Sequence, residues 1–208
     1  MLSADEIASF WRALEDPDLP IFSPSIRLAL KFQLVTAQRK GEVIGAQWGE
    51  FDLREGVWTI PAEKAKNGMP HRVPLSPLAR AVLDEIAASR KSDWLFPSPK
   101  TDAPIGGQSV DHAMRRHRET LGTGDASPHD LRRTAASHMT SIGIGRLVVS
   151  KILNHAEPGV TAVYDRHSYD AEKRAALAKV GRPARGNHRS AHRAWLRRAA
   201  AQRRADPG

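Results

Sequence analysis

Six side chains spread along the chain have the chemistry needed to break a phosphodiester without a metal ion. Such a reaction needs cations that hold the non-bridging phosphate oxygens, a proton donor for the departing oxygen, and an oxygen that attacks phosphorus. Arginine, lysine, histidine and tyrosine supply all three kinds of group. The candidate residues, in chain order, are Arg39, Lys66, His129, Arg132, His155 and Tyr164.

The sharpest pattern lies at the start of a predicted helix. Ser127 suits a helix N-cap, Pro128 suits the first helical position, and Asp130 completes a start that resembles a capping box. His129 and Arg132 are then i,i+3 neighbours on one face, beside backbone N–H groups that favour an anion such as phosphate. Taken alone, the pair also fits an ordinary surface helix with solvated arginines, so the phosphate interpretation depends on the other residues.

A second cation stands upstream with an acidic neighbour. Arg39 and Glu42 are also at i,i+3 spacing, where the carboxylate can orient the guanidinium. A guanidinium presents a planar fork that suits two phosphate oxygens. Glu42 fits the role of a plain helix residue equally well.

A predicted β-hairpin carries the candidate lysine. Asn67-Gly68, between the strand-like segments 57–60 and 72–75, is typical of a hairpin tip, and Lys66 projects beside it. Lys64 lies two residues earlier, on what should be the same side of the strand, and is the alternative. Lys66 is nearer the tip.

The candidate nucleophile lies in the last third of the chain. His155 is followed nine residues later by Tyr164, one of only two tyrosines in the sequence. Tyr169 is the alternative, but it begins a helical run predicted over 170–179, which favours a packing role.

This ordered pattern resembles the catalytic domain of the tyrosine recombinases, the phage integrase family. The family's arginine, hairpin lysine, His-x-x-Arg, late histidine and nucleophilic tyrosine match the six candidates in order, and its acidic residue after the first arginine matches Glu42. The resemblance runs from about Leu2 to Val180. One departure concerns the late histidine, which glycine commonly precedes, whereas Asn154 stands here. We expect this change to alter the local turn more than the chemistry.

The resemblance implies a site-specific DNA recombinase or integrase that cleaves and rejoins strands through a 3′-phosphotyrosine, with no metal and no cofactor. Tyr164 would attack the scissile phosphate and leave a free 5′-hydroxyl. Lys66 would donate a proton to that leaving oxygen, and His129 would assist proton transfer at the nucleophile. A phenol with a pKa near ~10 is a poor nucleophile at neutral pH, so the tyrosine needs this help.

The same resemblance implies which residues meet the phosphate and the DNA. Arg39 and Arg132 would neutralise the non-bridging oxygens, and His155 would hydrogen-bond them. The implied partners are double-stranded DNA and other recombinase protomers, with no membrane partner, and the implied location is the cytoplasm, on the nucleoid. Further contacts to DNA are expected from Lys64, Arg72 and Arg133.

Charge is distributed unevenly along the chain. The 208 residues carry a net charge of +9, of which residues 182–208, with eight arginines and one acid, hold +7. We therefore expect a catalytic domain at 1–181 and an Arg-rich tail at 182–208, either flexible or a short basic helix, that attracts phosphates of any sequence. The N-terminal core-binding domain of the family is expected to be absent.

Composition and helix signals predict one mainly α domain with a small antiparallel β-sheet, an α+β fold. The 40% hydrophobic content suffices for one core, the absence of cysteine removes disulfides and thiolate metal sites, and no apolar run reaches membrane-spanning length. Serine caps and apolar periodicity predict helices at about 4–15, 24–38, 77–90, 109–121, 128–143, within 142–154, and at 170–179.

Three hypotheses for function remain at this point. The first is an active strand-exchange or strand-nicking enzyme, which includes a relaxing activity like that of type IB topoisomerases. The second is a truncated, recombination-deficient remnant that only binds DNA. The third is a basic protein that coats DNA, which rests on the tail alone and would not need Tyr164.

Overall fold

The computed structural model describes residues 1–16, 22–155 and 168–180. Tyr164 and the tail at 182–208 lie outside the described residues. The described part of the chain is mainly helical, with a three-stranded antiparallel sheet in the order β1-β2-β3. The expected α+β class is confirmed.

The described helices are α1 (Ala4–Glu15), α2 (Pro24–Thr36), α3 (Lys40–Ile44), α4 (Pro77–Ala87), α5 (Gly107–Arg116), α6 (Arg118–Leu121), α7 (Pro128–Ser141), α8 (Arg146–Ile152) and α9 (Asp170–Val180). A 3-10 turn at Trp48–Glu50 leads into the strands β1 (Phe51–Asp52), β2 (Val57–Ile60) and β3 (His71–Pro74). None of the helices in the described ranges is long and apolar enough to cross a membrane.

Serine caps begin the helices where the sequence predicts. Ser23 accepts a hydrogen bond from the N–H of Ile26 at 3.3 Å, and Ser76 accepts one from the N–H of Ala79 at 3.1 Å. Each hydroxyl satisfies an N–H group that has no partner within its own helix. Helix ends were harder to predict. α2 stops at Thr36 because Ala37 turns into the left-handed region, with φ at 57°.

One predicted helix is interrupted in the structure, so that prediction is wrong. The segment expected as a single helix over 109–121 forms two helices, α5 and α6, which meet at His117. The backbone of His117 leaves the helical region, with φ at −111°, while its N–H still bonds to the carbonyl of Ala113 at 3.2 Å. The chain therefore changes direction at a residue that the apolar periodicity does not mark.

Helix α2 runs through the centre of the core. Phe32 is fully buried, and its ring centroid lies 5.5 Å from that of Trp58, 6.1 Å from that of Phe51 and 6.2 Å from that of Phe96. Aromatic rings at these distances bury large apolar areas and favour tilted arrangements. The cluster joins α2 to the sheet, while α4 and α7 pack on the same helix.

The predicted hairpin is present, but its connection is longer than a tight turn. β2 pairs with β3 in antiparallel register, and residues 61–70 join them. Pro61 and Pro70 lack the N–H donors that would continue the ladder, so pairing stops there. Gly68 takes a left-handed φ of 68°. Lys66 consequently lies in the loop 61–70 and not on a strand.

Helix α9 packs against the sheet edge formed by β3. Lys173 is buried and donates to the carbonyl of Arg72 at 2.8 Å. The Arg72 guanidinium donates in turn to Asp170 Oδ2 at 2.8 Å. These contacts fix α9 beside the strand that carries His71, so the end of the described chain supports the centre of the molecule.

Candidate active site

The carbonyl oxygens at the end of α8 organise the site. Carbonyls in the last turn of a helix have no partner within the helix and must find donors elsewhere. The Ile152 oxygen accepts from Gln38 Nε2 at 3.0 Å and lies 3.0 Å from His71 Nε2. Both side chains are buried and approach from distant parts of the chain. The end of α8 is therefore held by neutral donors on its buried side.

Arg132 holds the next carbonyl. This residue of α7 is 4% exposed and donates to the carbonyl oxygens of Leu153 and, at 3.0 Å, Ala37. Burial, reinforced by the nearby Arg39 and opposed by Glu42, lowers the pKa of Arg132 to about 10. The guanidinium thus remains protonated at neutral pH, and it ties the ends of α2 and α8 to α7.

Arg39 is oriented by Glu42, as their spacing predicts. Glu42 Oε1 accepts from Arg39 Nη1 at 2.9 Å, and Oε2 accepts from the backbone N–H of Arg39 at 3.0 Å. The Glu42 side chain is 3% exposed, whereas that of Arg39 is 24% exposed. A second Arg39 nitrogen, Nη2, lies 3.5 Å from the Asn154 carbonyl oxygen. The carboxylate fixes one side of the guanidinium and leaves the other towards solvent.

His129, Arg132 and His155 line one pocket, together with Leu153 and Arg133. His129 lies in the first turn of α7, as its predicted helix start requires. Burial first, and then the positive charges of Arg132 and Arg39, lower the pKa of His155. Its ring is consequently neutral at pH 7 and presents one donor and one acceptor. The pocket therefore combines the guanidiniums of Arg132 and Arg133 with the hydrogen-bonding ring of His155, an arrangement that suits an anion.

The two lysines of the hairpin loop lie in different surroundings. Lys64 Nζ donates to the Gly45 carbonyl at 2.8 Å and to Gln47 Oε1 at 2.9 Å, and it forms an ion pair with Glu50. Lys66 is exposed, and no described residue forms a hydrogen bond or ion pair with it. Lys64 is thus committed to contacts within the protein, which favours Lys66 as the reacting lysine.

The loop of Lys66 reaches the pocket through its neighbour. Asn67 Nδ2 donates to Asn154 Oδ1 at 2.8 Å, and Asn154 Nδ2 donates to Asn67 Oδ1 at 3.2 Å. Asn154 directly precedes His155, so this pair joins the loop 61–70 to the turn that carries the late histidine. The φ of Asn154, 48°, lies in the left-handed region.

The remaining candidates are placed as follows. The Arg72 guanidinium is 51% exposed but paired with Asp170, and Arg133 is 62% exposed, at the pocket edge, with Asp130 at 3.4 Å. The ring of Tyr169 lies 4.9 Å from Lys151 Nζ, a contact that agrees with a packing role. Tyr164 lies outside the described residues.

The model of the phage integrase family matches residues 1–171. The chain belongs to this family. Among its relatives, the prophage integrase IntA of Escherichia coli (strain K12) is 33% identical over 155 residues, which cover 73% of this chain and 37% of IntA. The prophage integrase IntZ of the same strain is 30% identical over 175 residues, 83% of this chain and 42% of IntZ.

A solved structure shares the fold of this phage integrase family member. The crystal structure of a lambda integrase(75-356) dimer bound to a COC′ core site matches with a TM-score of 0.60 and 22% identity, covering 75% of this chain and 57% of that one. The chain spans about two fifths of the length of the two prophage integrases.

Two residues that support the candidate site were missed by the sequence patterns. Gln38 and His71 hold the Ile152 carbonyl, yet neither belongs to a recognisable motif. Strand alternation could have flagged one of them: His71 and Val73 are both buried, with the exposed Arg72 between them. A histidine on the core side of a strand must find a polar partner, and here that partner is the end of α8.

His71 makes the stability of the integrase domain depend on pH. Burial, followed by the charge of Lys173, lowers its pKa from 6.5 to about 4, although the hydrogen bond to Ile152 opposes the shift. Between these values the unfolded chain binds a proton that the folded chain does not. The free energy of unfolding should therefore keep its full value above pH 6.5. It should fall by up to about 3 kcal/mol as the pH drops to about 4.

Urea unfolding at several pH values checks this prediction, with His71→Gln as the control because glutamine can still donate a hydrogen bond and does not titrate. The variant should show a shallower loss of stability over the same window. Equal slopes for both proteins would contradict the assignment.

Proposed function

We propose that this chain is the catalytic domain of a site-specific DNA recombinase or integrase, and that it cleaves and rejoins strands through a 3′-phosphotyrosine at Tyr164. The observation that carries the proposal is the convergence of Arg39, Arg132 and His155 on the end of α8. The pocket formed there, with His129 on its wall, offers positive charge and hydrogen bonds to a phosphate. Family membership supports the same reaction.

The charge balance of the site suits a phosphate guest. Burial first, and then repulsion by Arg39, lower the pKa of Arg132, and Glu42 offsets only part of this effect. A phosphodiester brings a negative charge between the two guanidiniums. Since the donors are already fixed by Glu42 and by backbone carbonyls, little reorganisation is needed when the charge on the phosphate grows in the transition state.

The proposed cleavage step balances as follows. The Tyr164 oxygen attacks phosphorus, the bond from phosphorus to the 5′-oxygen breaks, and Lys66 gives a proton to the departing oxygen. His129 assists removal of the phenolic proton. In the reverse direction a 5′-hydroxyl, from the same or another duplex, attacks the phosphotyrosine and restores the phosphodiester. The covalent link retains the bond energy, so the step requires neither a metal nor a nucleotide cofactor.

We propose double-stranded DNA and further recombinase protomers as partners, acting on the nucleoid in the cytoplasm. The lambda integrase neighbour is a dimer bound to a core site, which supports both partners. Residues 1–181 would form the catalytic domain. Arg133 is the best placed of the additional DNA contacts, because it lines the pocket and its side chain is 62% exposed, whereas Lys64 and Arg72 are not among the residues that line the pocket.

Replacing the nucleophile tests the reaction directly. Tyr164→Phe should abolish a covalent adduct with a nicked suicide duplex and leave DNA binding nearly intact, because only the attacking oxygen is lost. The adduct is measured as a shifted band on a denaturing gel. Tyr169→Phe is the matched control and should keep the adduct. An adduct that persists in Tyr164→Phe and disappears in Tyr169→Phe would reverse the assignment.

The proton donor is tested with a modified substrate. Lys66→Ala should slow cleavage by roughly 10²–10⁴-fold, and a 5′-bridging sulfur, a better leaving group, should restore much of the rate. Lys64→Ala should instead lower the free energy of unfolding, because Glu50 loses its ion-pair partner, and its loss of rate per folded molecule should be smaller than that of Lys66→Ala. Sulfur rescue of Lys64→Ala, without rescue of Lys66→Ala, would exchange the two roles.

The Arg-rich tail is proposed to supply affinity that does not depend on sequence. Deleting residues 182–208 removes eight arginines and should weaken binding to all duplexes alike. It should also flatten the salt dependence, since each lost phosphate contact reduces the slope of log K against log salt by roughly 0.9. Binding titrations at several salt concentrations measure both effects. Unchanged affinity and slope would show that the tail takes no part.

A further inference from the structure

The loop that carries Lys66 is held at two points on either side of that residue. On one side, Lys64 donates to Gly45 and Gln47 and pairs with Glu50. On the other, Asn67 exchanges two hydrogen bonds with Asn154, at 2.8 and 3.2 Å. The Lys66 side chain is exposed between these attachments. Its position relative to the pocket therefore depends on both of them.

The second attachment, between Asn67 and Asn154, joins the loop to the proposed phosphate site. Asn154 adopts a left-handed φ of 48°, its carbonyl oxygen lies 3.5 Å from Arg39 Nη2, and it directly precedes His155. Asparagine tolerates this backbone conformation better than most residues. The main chain of Asn154 thus contacts a phosphate-binding arginine, while its side chain contacts the neighbour of Lys66. A glycine, which commonly occupies this position in the family, would allow the same turn and offer no side chain to the loop.

We propose that Asn67 and Asn154 form a positioning pair, which sets the reach of Lys66 to the leaving oxygen by fixing the loop 61–70 to the His155 turn. This inference rests on the proposed function and adds two residues that act through Lys66 and do not touch the reacting atoms. A proton donor is effective only within hydrogen-bond reach of its acceptor, and small displacements reduce the rate strongly. The amides carry no charge, so the pair leaves the electrostatic balance of the phosphate pocket unchanged.

The positioning pair predicts specific changes in the rate of DNA cleavage. Asn67→Ala removes one partner, and Asn154→Gly removes the other while keeping a backbone that accepts the left-handed conformation. Each variant should slow cleavage of a suicide duplex with a 5′-bridging oxygen by roughly 3–30-fold, the range expected from loss of one or two exposed hydrogen bonds. The double variant should be no slower than the slower single variant, because both changes break the same contact.

Substrate chemistry separates positioning of the proton donor from general damage. With a 5′-bridging sulfur, the leaving group no longer needs the proton from Lys66, so the variants should cleave within about 2-fold of the parent chain. Neither substitution should add to the loss caused by Lys66→Ala. Asp125→Ala, which removes an exposed contact with Arg118 at 3.3 Å that does not involve the loop, is the control and should behave as the parent.

Amide hydrogen exchange tests the contact without any cleavage. In the free chain, Asn154→Gly should speed exchange at residues 65–69, which lie in the loop, and Asp125→Ala should not. Unchanged exchange in Asn154→Gly would overturn the positioning pair, as would equal losses of rate on the oxygen and sulfur substrates. Failure of the proposed function looks different: the parent chain would then form no Tyr164-dependent adduct on either substrate, while the exchange result still decides whether the pair holds the loop.

Discussion

The buried guanidinium of Arg132 is the interaction on which the other parts of the site depend. A charge removed from water is costly unless hydrogen bonds and nearby countercharge compensate it. Here the compensation comes from the carbonyl oxygens of Ala37 and Leu153, with Glu42 as the acidic neighbour. Those oxygens are available only because α2 ends in a left-handed residue and α8 ends nearby. One side chain of α7 thus constrains the ends of two other helices, and the remaining groups of the site are placed relative to them.

Burial, together with the positive charge of the site, lowers the pKa of two histidines around it. His71 and His155 both have lowered pKa values, with burial as the largest cause and Arg132 and Arg39 among the others. Each ring can therefore donate and accept hydrogen bonds at neutral pH without adding to the repulsion between the arginines. Keeping these rings neutral reserves the positive charge for Arg39, Arg132 and Lys66, which are the groups that the proposed reaction uses against a phosphate and its leaving oxygen.

Short-range sequence patterns predict those parts of the site whose residues lie within one helical turn of each other. The α7 start follows from Ser127 and Pro128, and the Arg39 to Glu42 pair follows from its spacing, because both depend on residues within one turn. The contacts of Gln38 and His71 with the Ile152 carbonyl join residues 114 and 81 positions apart and have no local signal. The hairpin follows from Asn67-Gly68, but the anchoring of Lys64 to Gly45 depends on the folded core and has no local signal.

The two lysines show how tertiary contacts resolve an ambiguity that residue types leave open. Both are cations on one loop, but Lys64 is surrounded by acceptors, whereas Lys66 has none among the described residues. A lysine held by an ion pair and two further acceptors is less available to give a proton to a substrate oxygen than an exposed one. Asn154 is a second residue whose role depends on a tertiary contact. The backbone there adopts a left-handed conformation, which glycine or asparagine tolerates, and asparagine adds a side chain that contacts Asn67 in the loop of Lys66.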